Sequence, residues 1–395
     1  MTYLLFVSHC PPWPLDSGNT QRVYHLLRGL AARRRVTLVT LSAAADAEAG
    51  ARSPVRDWCD RIVEVDFRTC RWGAGGRAEG FRQLFLSPLP YLVHAWHSDA
   101  FVNALRALRR ERRFDAVWVE RWYTAEMAVA AGFDDLVVDL DDIQTITKRR
   151  QLRHARLAAS TPLEWIELAK LSRYEHGLPR RFRRLVVCKE EDRRFFGRWA
   201  DRVAVVPNGT ERHPPAAPER ARPGEMLFVG PLGYGPNVDA VRFFHAEILP
   251  AIRSACPNAR LVVVGRGTRE RLRDLDDGNA CTVVGPVPDL TPYYESASLI
   301  VVPMRLGSGT RLKVLEALGW GKAVVSTSVG AEGLALRPGV DLALADTPAA
   351  FAEACIRLLA DGAARRALGE AGRARVLERY DWDVVAQAAE QVLAG

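Results

Sequence analysis

The stretch IVVPMRLGSGTRLKVLEALGWGKAVVSTSVGAEGL, residues 300–334, predicts a strand, a glycine loop, a helix and a second strand in succession. The first strand is the apolar run 299–303, and the last is the run 323–327. Between them the leucines recur at helical spacing, at Leu312, Leu315 and Leu318. This order is typical of a parallel α/β sheet with right-handed crossovers.

The start of that helix predicts an anion site, because unpaired backbone N–H groups and the positive end of the helix dipole point at whatever lies over the glycine loop. Arg311 and Lys313 add two cations, and Glu316 lies one turn beyond Lys313. A ligand that is part phosphate and part hydroxyl, such as a nucleotide-sugar, fits these groups. The alternative is a βαβ unit with a solvated charged helix face. The loop consists of Gly307, Ser308 and Gly309, with Thr310 as the expected N-cap.

Length and composition describe a soluble globular chain of two domains, with 395 residues, 48% hydrophobic and 26% charged. No apolar run reaches the roughly 18 to 20 residues of a membrane helix, and residues 1–8 are too short for a signal peptide. The seven cysteines are odd in number and show no CxxC spacing. We therefore expect a cytoplasmic protein with neither a zinc site nor a disulfide framework.

The basic excess lies entirely in the first half of the chain. Residues 1–200 hold 33 Lys and Arg against 24 Asp and Glu, a net of +9, while the remainder holds 22 against 23, a net of −1. Such a face suits anionic lipid headgroups or a polyprenyl-diphosphate substrate. It equally suits a solvated arginine-rich surface. No nucleic-acid module is recognised, so we expect no nucleic-acid partner.

The pattern of strands and helices occurs twice, which predicts two α/β halves. The predicted elements include strands at 3–8, 115–120 and 260–264, a helix that starts near residue 20, and helices over 190–200 and 239–255. Residues 1–212 form the first domain and 213–223 a Pro-rich linker; residues 224–378 form the second domain and 379–395 a terminal helix. Each half places a glycine loop after its first strand, at Gly18 and at Gly230, which predicts a ligand in a cleft between the halves.

Carboxylates gather after two strands of the first half. Glu120 ends one strand, and three aspartates follow the next, at Asp139, Asp141 and Asp142. The trio could suggest a metal, but neighbouring strand positions face opposite sides of a sheet, and Asp142 as a helix N-cap is the more economical interpretation. We expect no metal.

Three segments carry a family resemblance: FVGPLGYGPNVDAVRFF (residues 228–244), VVGPVPDLTPYY (residues 283–294) and the GSGTRLKVLEALGWGKAVVSTSVGAEGL of the opening stretch. Together with PPWPLDSGNTQR and the VVPNG turn, they resemble glycosyltransferase family 4, closest to its exopolysaccharide-associated sugar transferase branch. The resemblance implies a GT-B fold of two Rossmann-like parallel-sheet domains facing a cleft. It also implies a nucleotide-diphosphate sugar in the C-terminal domain, an acceptor on the N-terminal one, retention of anomeric configuration and no required metal. The terminal helix is expected to cross back to the N-terminal domain.

The resemblance also implies roles for single residues. Glu316 matches the second glutamate of the E-x7-E motif, which holds the donor ribose, whereas the first glutamate falls on Ser308. Pro231 and Asn237 stand near the places of the diphosphate-binding Arg and Lys, so we expect Arg311 and Lys313 to do that work and backbone N–H groups of residues 307–310 to replace the lost glutamate. Glu120 stands where relatives carry a histidine near the reacting sugar. The remaining donor positions are Gly18 with the adjoining Asn19, Gly230 in the second glycine loop, and Val287 and Pro288 in the loop that passes the base.

The predicted function is therefore a retaining, metal-independent hexosyltransferase of polysaccharide or glycoconjugate assembly. It would use a UDP- or GDP-sugar as donor substrate, with no cofactor, and a glycan or polyprenyl-diphosphate-linked acceptor. We expect it in the cytoplasm, peripheral on the inner membrane face. Two alternatives stay open: a GT-B nucleotide-sugar epimerase, and a sugar-nucleotide binding protein that has lost catalysis.

Overall fold

The computed structural model describes residues 2–15, 17–43, 53–71, 82–83, 85–154, 162–216, 218–267, 269–307 and 311–395. The chain divides into two compact units. Unit 1 comprises Met1–Pro207 together with Val385–Gly395, and unit 2 comprises Asn208–Val384. Each unit holds its own sheet and its own apolar core.

Unit 1 contains a seven-stranded sheet in which every described strand pair is parallel. The spatial order is β3-β2-β1-β4-β5-β6-β7, so the direction of winding reverses between β1 and β4. The strands are β1 (Tyr3–Ser8), β2 (Arg35–Ser42), β3 (Cys59–Asp66), β4 (Ala116–Glu120), β5 (Val137–Asp139), β6 (Arg184–Val187) and β7 (Val203–Val205). The central strands β1 and β4 are buried almost throughout, as expected of a sheet covered on both faces.

The helices of unit 1 connect these strands, and the longer amphipathic ones bury apolar stripes, as the helix Asp99–Glu111 does with Phe101, Val102, Leu105 and Leu108. They are α1 (Gly18–Ala31), α2 (Tyr91–Trp96), α3 (Asp99–Glu111), α4 (Trp122–Ala130), α5 (Gln144–His154), α6 (Pro162–Arg181) and α7 (Glu190–Arg194). Short 3-10 turns span Pro54–Asp57, Phe67–Thr69 and Gly197–Arg202. The sequence predicted one helix over residues 190–200, but the structure ends α7 early because Gly197 takes a positive φ of 53°.

Unit 2 repeats the plan with six strands, all described pairs again parallel, in the order β10-β9-β8-β11-β12-β13. Here the winding reverses between β8 and β11. The strands are β8 (Glu225–Val229), β9 (Arg260–Val264), β10 (Cys281–Gly285), β11 (Leu299–Val302), β12 (Val324–Ser326) and β13 (Ala343–Leu344). The runs predicted at 299–303 and 323–327 are therefore confirmed as neighbouring parallel strands.

The helices of unit 2 are α8 (Gly235–Phe243), α9 (Leu249–Ala255), α10 (Thr291–Ser296), α11 (Leu312–Gly319), α12 (Pro348–Ala360) and α13 (Gly362–Tyr380). Short 3-10 turns span Pro218–Arg220 and Arg269–Leu275. The sequence predicted one helix over residues 239–255. The structure starts it at Gly235 and inserts a π-helical turn, Phe244–Ile248, where the Leu249 N–H donates to the Phe244 carbonyl. Pro250, which has no N–H to offer the α-helical ladder, follows directly.

The end of the chain forms α14 (Trp382–Ala394), separated from α13 by the extended residue Asp381. Residues 385–395 cluster with unit 1. There Arg34 grips the Glu390 carboxylate with two nitrogens, and the Ala386 methyl packs so closely on Gly29 that a side chain at Gly29 would collide with it. In the described residues we find no helix with both the length and the apolar character needed to cross a bilayer.

Candidate functional site

In each unit, the side chains that could contact a ligand lie at the point where the strand order reverses. In open parallel sheets the loops after the two strands that flank such a reversal diverge, which leaves a crevice beyond the carboxyl ends of the strands. In unit 1 those ends are His9 after β1 and Glu120 at the end of β4. In unit 2 they are Gly230 after β8 and the segment that runs from β11 to α11.

Glu120 is buried, and both of its oxygens contact other side chains of unit 1. Oε2 forms a short hydrogen bond with Nδ1 of His9, and Oε1 accepts from Nε of Arg121 at 3.0 Å. His9 was not singled out in the sequence, although a histidine directly after the first buried strand is the signal that could have found it. The Cys10 sulfur completes a compact group, since the donor atoms of His9, Cys10 and Glu120 all lie within 4.8 Å of one another.

Arg121 links this pair to the neighbouring strand ends. It is buried, it has a positive φ of 70°, and Asp141 beside it has a positive φ of 58°. Two non-glycine residues in this conformation mark a strained segment that surrounding contacts hold in place. All five guanidinium N–H groups are used: the acceptors are Glu120, the Leu140 carbonyl, Asp142, Asn19 and Asp141.

The three aspartates at the end of β5 and directly after it, Asp139, Asp141 and Asp142, therefore face cations of the chain. Asp139 makes a bidentate ion pair with the buried Arg22, at 2.9 and 3.0 Å. The prediction that Asp142 caps a helix is wrong, because α5 begins at Gln144. Its first N–H groups, those of Gln144 and Thr145, donate to Glu175 at 3.0 and 2.9 Å, and burial raises the pKa of that carboxyl to about 7.

The glycine loop of unit 1 leads directly into α1. Ser17 is the N-cap, and its hydroxyl accepts from the Thr20 N–H at 3.2 Å. Gly18 is the first residue of the helix, so the helical spacing predicted from Thr20 begins two residues earlier. The Asn19 oxygen accepts from Nη2 of Arg121 at 3.0 Å, which places the expected donor residue Asn19 beside the strand-end network of unit 1.

Lys313 is the central cation of the unit 2 site. Its Nζ donates to Oδ1 of Asn237 at 2.6 Å, lies 3.7 Å from the Met304 sulfur, and sits 4.5 Å from the centre of the Phe228 ring. These contacts are neutral, and burial together with the nearby Arg311 lowers the pKa of Lys313 to about 7. Among the described residues, no carboxylate forms an ion pair with this ammonium.

The glycine loop after β8 is shaped around that ammonium. A Cβ on Gly230 would lie 2.8 Å from the Asn237 amide nitrogen and 3.0 Å from Lys313 Nζ. Asn237 is buried and donates to the Pro231 carbonyl at 2.8 Å, which turns its oxygen toward the lysine. Lys313 therefore reaches the loop in which the resemblance located the diphosphate-binding cations.

Arg311 and Glu316 lie on either side of Lys313 in sequence. The buried Arg311 donates from Nε to the Val329 carbonyl at 3.0 Å, and a Cβ added to Gly307 would lie 3.0 Å from its Nη1. Glu316 is half-buried. Burial raises the pKa of its carboxyl to about 7, and the adjacent Tyr294 hydroxyl opposes that shift.

The structure gives less information about the remaining residues expected to bind the donor. The N-cap of α11 is Arg311, which makes no side-chain capping bond, so the prediction of Thr310 as the N-cap is wrong. Ser308 and Gly309 lie outside the described residues, as does Thr310, so the expected backbone contacts of the loop are not tested. Val287 and Pro288 follow β10; Val287 packs against the core of unit 2 and Pro288 is exposed.

Comparison with known proteins gives this arrangement a family. A family model described as "Glycosyl transferases group 1" matches residues 223–361. A glycogen synthase from Mycobacterium tuberculosis is 30% identical over 306 residues, which cover 72% of this chain and 69% of that protein.

Solved structures agree on the fold. Sucrose-phosphate synthase from Thermosynechococcus elongatus superimposes with a TM-score of 0.71 at 20% identity, covering 99% of this chain and 98% of that one. HepE from Anabaena, in complex with UDP and glucose, superimposes over both whole chains with a TM-score of 0.68 at 13% identity. The expected GT-B fold, with its two parallel-sheet α/β domains, is confirmed. The chain belongs to the group 1 glycosyltransferases.

Proposed function

We propose that this glycosyltransferase is a retaining, metal-independent hexosyltransferase of the family 4 type. It takes a sugar from a nucleotide-diphosphate sugar and passes it to a glycan or polyprenyl-diphosphate-linked acceptor. UDP is the preferred candidate for the donor nucleotide, with GDP second, because a neighbour in fold is a complex with UDP and glucose. The exopolysaccharide or glycoconjugate setting rests on the sequence motifs of residues 228–244 and 300–334.

The observation that carries the proposal is the environment of Lys313. A half-buried ammonium that rests on an amide oxygen, a thioether and an aromatic ring loses hydration without gaining a counter-charge. A diphosphate over the glycine loop would supply that charge. The depressed pKa of Lys313, about 7, is what such a site shows before its anion arrives.

The residues next to Lys313 would bind the other parts of the donor. Arg311 would bind the diphosphate beside Lys313, and Glu316 one turn further along α11 would accept from the ribose hydroxyls. Both cations favour departure of the nucleotide diphosphate, because negative charge builds on it as the bond to the sugar breaks. The departing phosphate can itself take the acceptor proton, so the proposed retaining reaction needs no dedicated base in unit 2.

We also propose a peripheral contact of unit 1 with an anionic bilayer, on the cytoplasmic face. Large apolar side chains are exposed in two segments that hydrogen bonds join, through the Tyr91 N–H to Glu167 and the Lys170 ammonium to the Gln83 carbonyl. We call this surface the apolar patch; its members are Phe85, Leu86, Tyr91, Leu163 and Trp165.

Basic residues flank the apolar patch. The Lys148 ammonium pairs with Glu164 at 2.8 Å, which brings the Lys-Arg-Arg run of α5 to the start of α6. Aromatic and aliphatic side chains beside lysine and arginine match the interfacial region of an anionic membrane. Vesicles of phosphatidylglycerol should sediment with the protein and vesicles of phosphatidylcholine should not. Leu86→Glu should abolish sedimentation, whereas the matched exposed position in unit 2, Val340→Glu, should leave it unchanged; equal effects would refute the patch.

The donor is tested by calorimetric titration of the protein with UDP, GDP, ADP and dTDP. We expect one nucleotide, UDP first, to bind at micromolar concentration and Lys313→Met to weaken it strongly. Lys322→Met is the matched control, because Lys322 is a buried lysine of unit 2 whose bonds go to the Glu295 and Ala297 carbonyls. Binding of none of the four would refute the donor site.

Retention and metal independence are tested on the product. The wild-type enzyme, treated with EDTA and supplied with its UDP-sugar and an acceptor, should form a glycoside whose anomeric configuration, read by NMR coupling constants, equals that of the donor. An inverted product would refute the retaining mechanism. Restoration of rate by added Mg²⁺ would refute metal independence. Turnover of the donor without an acceptor would support the epimerase alternative.

A further inference from the structure

Glu120 was expected near the reacting sugar, but it is buried and each of its oxygens already bonds a side chain of unit 1. The residue is 1% exposed. One carboxylate oxygen bonds His9 and the other bonds Arg121. Because Glu120 is buried between these charged partners, a sugar hydroxyl could reach it only if the partners moved, which would be costly.

His9 lies beside Glu120 and can contact a substrate where Glu120 cannot. It follows β1, which pairs directly with β4 at the reversal of strand order in unit 1. Aromatic rings fix its plane, since Trp96 and Tyr123 meet the imidazole edge-on with centroids 5.1 and 5.6 Å away. With Nδ1 bonded to Glu120, Nε2 is the nitrogen with which the ring can meet a ligand.

We propose that His9, in its imidazolium form, is the group of unit 1 that binds substrate, through an Nε2–H hydrogen bond to a substrate oxygen. Glu120 is then a positioning residue that holds the ring and its charge. This inference rests on the proposed sugar transfer, since it names which residue of unit 1 meets the acceptor or the transferred sugar. The bond involves no proton transfer or covalent step.

The groups around the ring support the charged form. Burial alone would lower the pKa of His9, but the Glu120 carboxylate and the Cys10 thiol raise it to about 10. Tyr123 of α4 and Trp96 of α2 present ring edges, and Arg121 acts on the far oxygen of Glu120. The partner chemistry is an oxygen with lone pairs, either a sugar hydroxyl or a phosphate oxygen.

Ligand binding is tested by NMR of the imidazole nitrogens in the full-length protein, with the His9 signal assigned from its loss in His9→Gln. Inorganic phosphate and methyl α-glucoside are titrated separately. A shift of Nε2 with phosphate alone assigns a phosphate oxygen, and a shift with the glucoside alone assigns a hydroxyl. A shift with both assigns an oxygen site without selectivity. No shift with either overturns the proposal.

The positioning role is tested with Glu120→Gln, which keeps the volume and removes the charge. The His9 titration should move from about pH 10 toward the ordinary histidine value. The alkaline limb of transfer activity should move down by the same amount, so activity at pH 8.5 should fall at least tenfold more than activity at pH 6. A uniform loss at every pH would indicate a merely structural role and overturn this assignment.

Failure of the inference can be told apart from failure of the proposed function. UDP binding is assigned to unit 2, so Glu120→Gln and His9→Gln should bind UDP as the wild type does, which also confirms that they fold. If the protein binds UDP normally but the His9 Nε2 signal does not shift with either ligand, only the role of His9 is rejected. An Nε2 shift in a protein that binds no nucleotide would reject the donor assignment while the His9 site stands.

Discussion

The cations at the strand ends of the two units have different partners. In unit 1 the cations meet carboxylates of the same unit: Arg22 pairs with Asp139, and Arg121 bonds three carboxylates. In unit 2 the cation Lys313 rests on neutral groups. Arg22 and Arg121 of unit 1 are therefore neutralised within the fold, whereas Lys313 of unit 2 has no carboxylate partner among the described residues, which is why we propose an anion there. The same sheet architecture thus carries internally paired cations in one half and, as we propose, an anion-binding cation in the other.

The pKa values express the same contrast. The pKa of His9 is raised to about 10 by its carboxylate and thiol neighbours, against the effect of burial. The pKa of Lys313 is lowered to about 7 by burial and by Arg311. Both residues are shielded from water, so the presence or absence of a carboxylate decides the direction of the shift.

The largest expected effect comes from breaking the internal pairing of unit 1. Asp139→Ala should lower the free energy of unfolding by about 3–5 kcal/mol, because it leaves the buried Arg22 guanidinium without its bidentate partner. Urea denaturation measures the change. Asp274→Ala, which breaks the exposed pair with Arg242, is the control and should cost far less. Similar losses in the two variants would contradict the view that unit 1 uses its charges for stability.

Next in size is the loss of the unit 2 cation. Lys313→Met should weaken UDP binding by about 1.5–3 kcal/mol, roughly 10- to 150-fold, because a charge-assisted hydrogen bond to the diphosphate is lost. Without ligand the variant should be at least as stable as the wild type at pH 6, since a poorly solvated ammonium is removed. Calorimetry and thermal melting give the two readouts. A variant that is less stable but binds UDP with unchanged affinity would show that Lys313 stabilises the fold and does not bind the ligand.

A smaller effect is expected from pH. Because a bound diphosphate favours the ammonium form, UDP affinity should fall as pH rises from 7 to 9, by at most about tenfold per pH unit. Lys313→Met should flatten that dependence. In the free protein the sign is opposite: the unfolded chain binds the lysine proton more readily, so this lysine makes stability rise between pH 7 and its ordinary pKa. An affinity that stays flat in the wild type would contradict the assignment.

The smallest effect should come from the glycine loop. Gly230→Ala puts a methyl group against Asn237 and Lys313, and the flexible end of the lysine can move aside. We expect UDP affinity to fall by about 1 kcal/mol, roughly fivefold, with little change in stability. Gly233→Ala is the matched control in the same loop, because a Cβ there meets nothing within 4 Å. Equal UDP affinities of the two variants would contradict a contact between Gly230 and the bound nucleotide.

The sequence predicted the sheets well because a buried parallel strand is a continuous apolar run between breakers. The runs 3–8 and 260–264 coincide with β1 and β9. The predicted strand 115–120 contains β4, which ends at Glu120 as expected. The two-residue strand β13 was missed, since Ala343–Leu344 is too short to show a pattern.

The sequence was less informative about polar partners. It selected Glu120, Arg311 and Lys313 from their places after strands and within a helix, and it assigned Asp142 to a cap that Glu175 provides. A carboxylate 30 residues away in sequence gives no local signal for such a role. The local pattern specifies where a side chain stands along an element, while its partner depends on which elements become neighbours.

The sequence by itself therefore determined the two α/β halves, the glycine loops and the two cations at the start of α11, Arg311 and Lys313. Only the tertiary structure decided that His9 engages Glu120 from 111 residues away and that Lys313 meets Asn237 from 76 residues away. The physical reason is the parallel sheet. Its crossovers bring strand ends together that are distant in the chain, and the charges that meet there set one another's protonation.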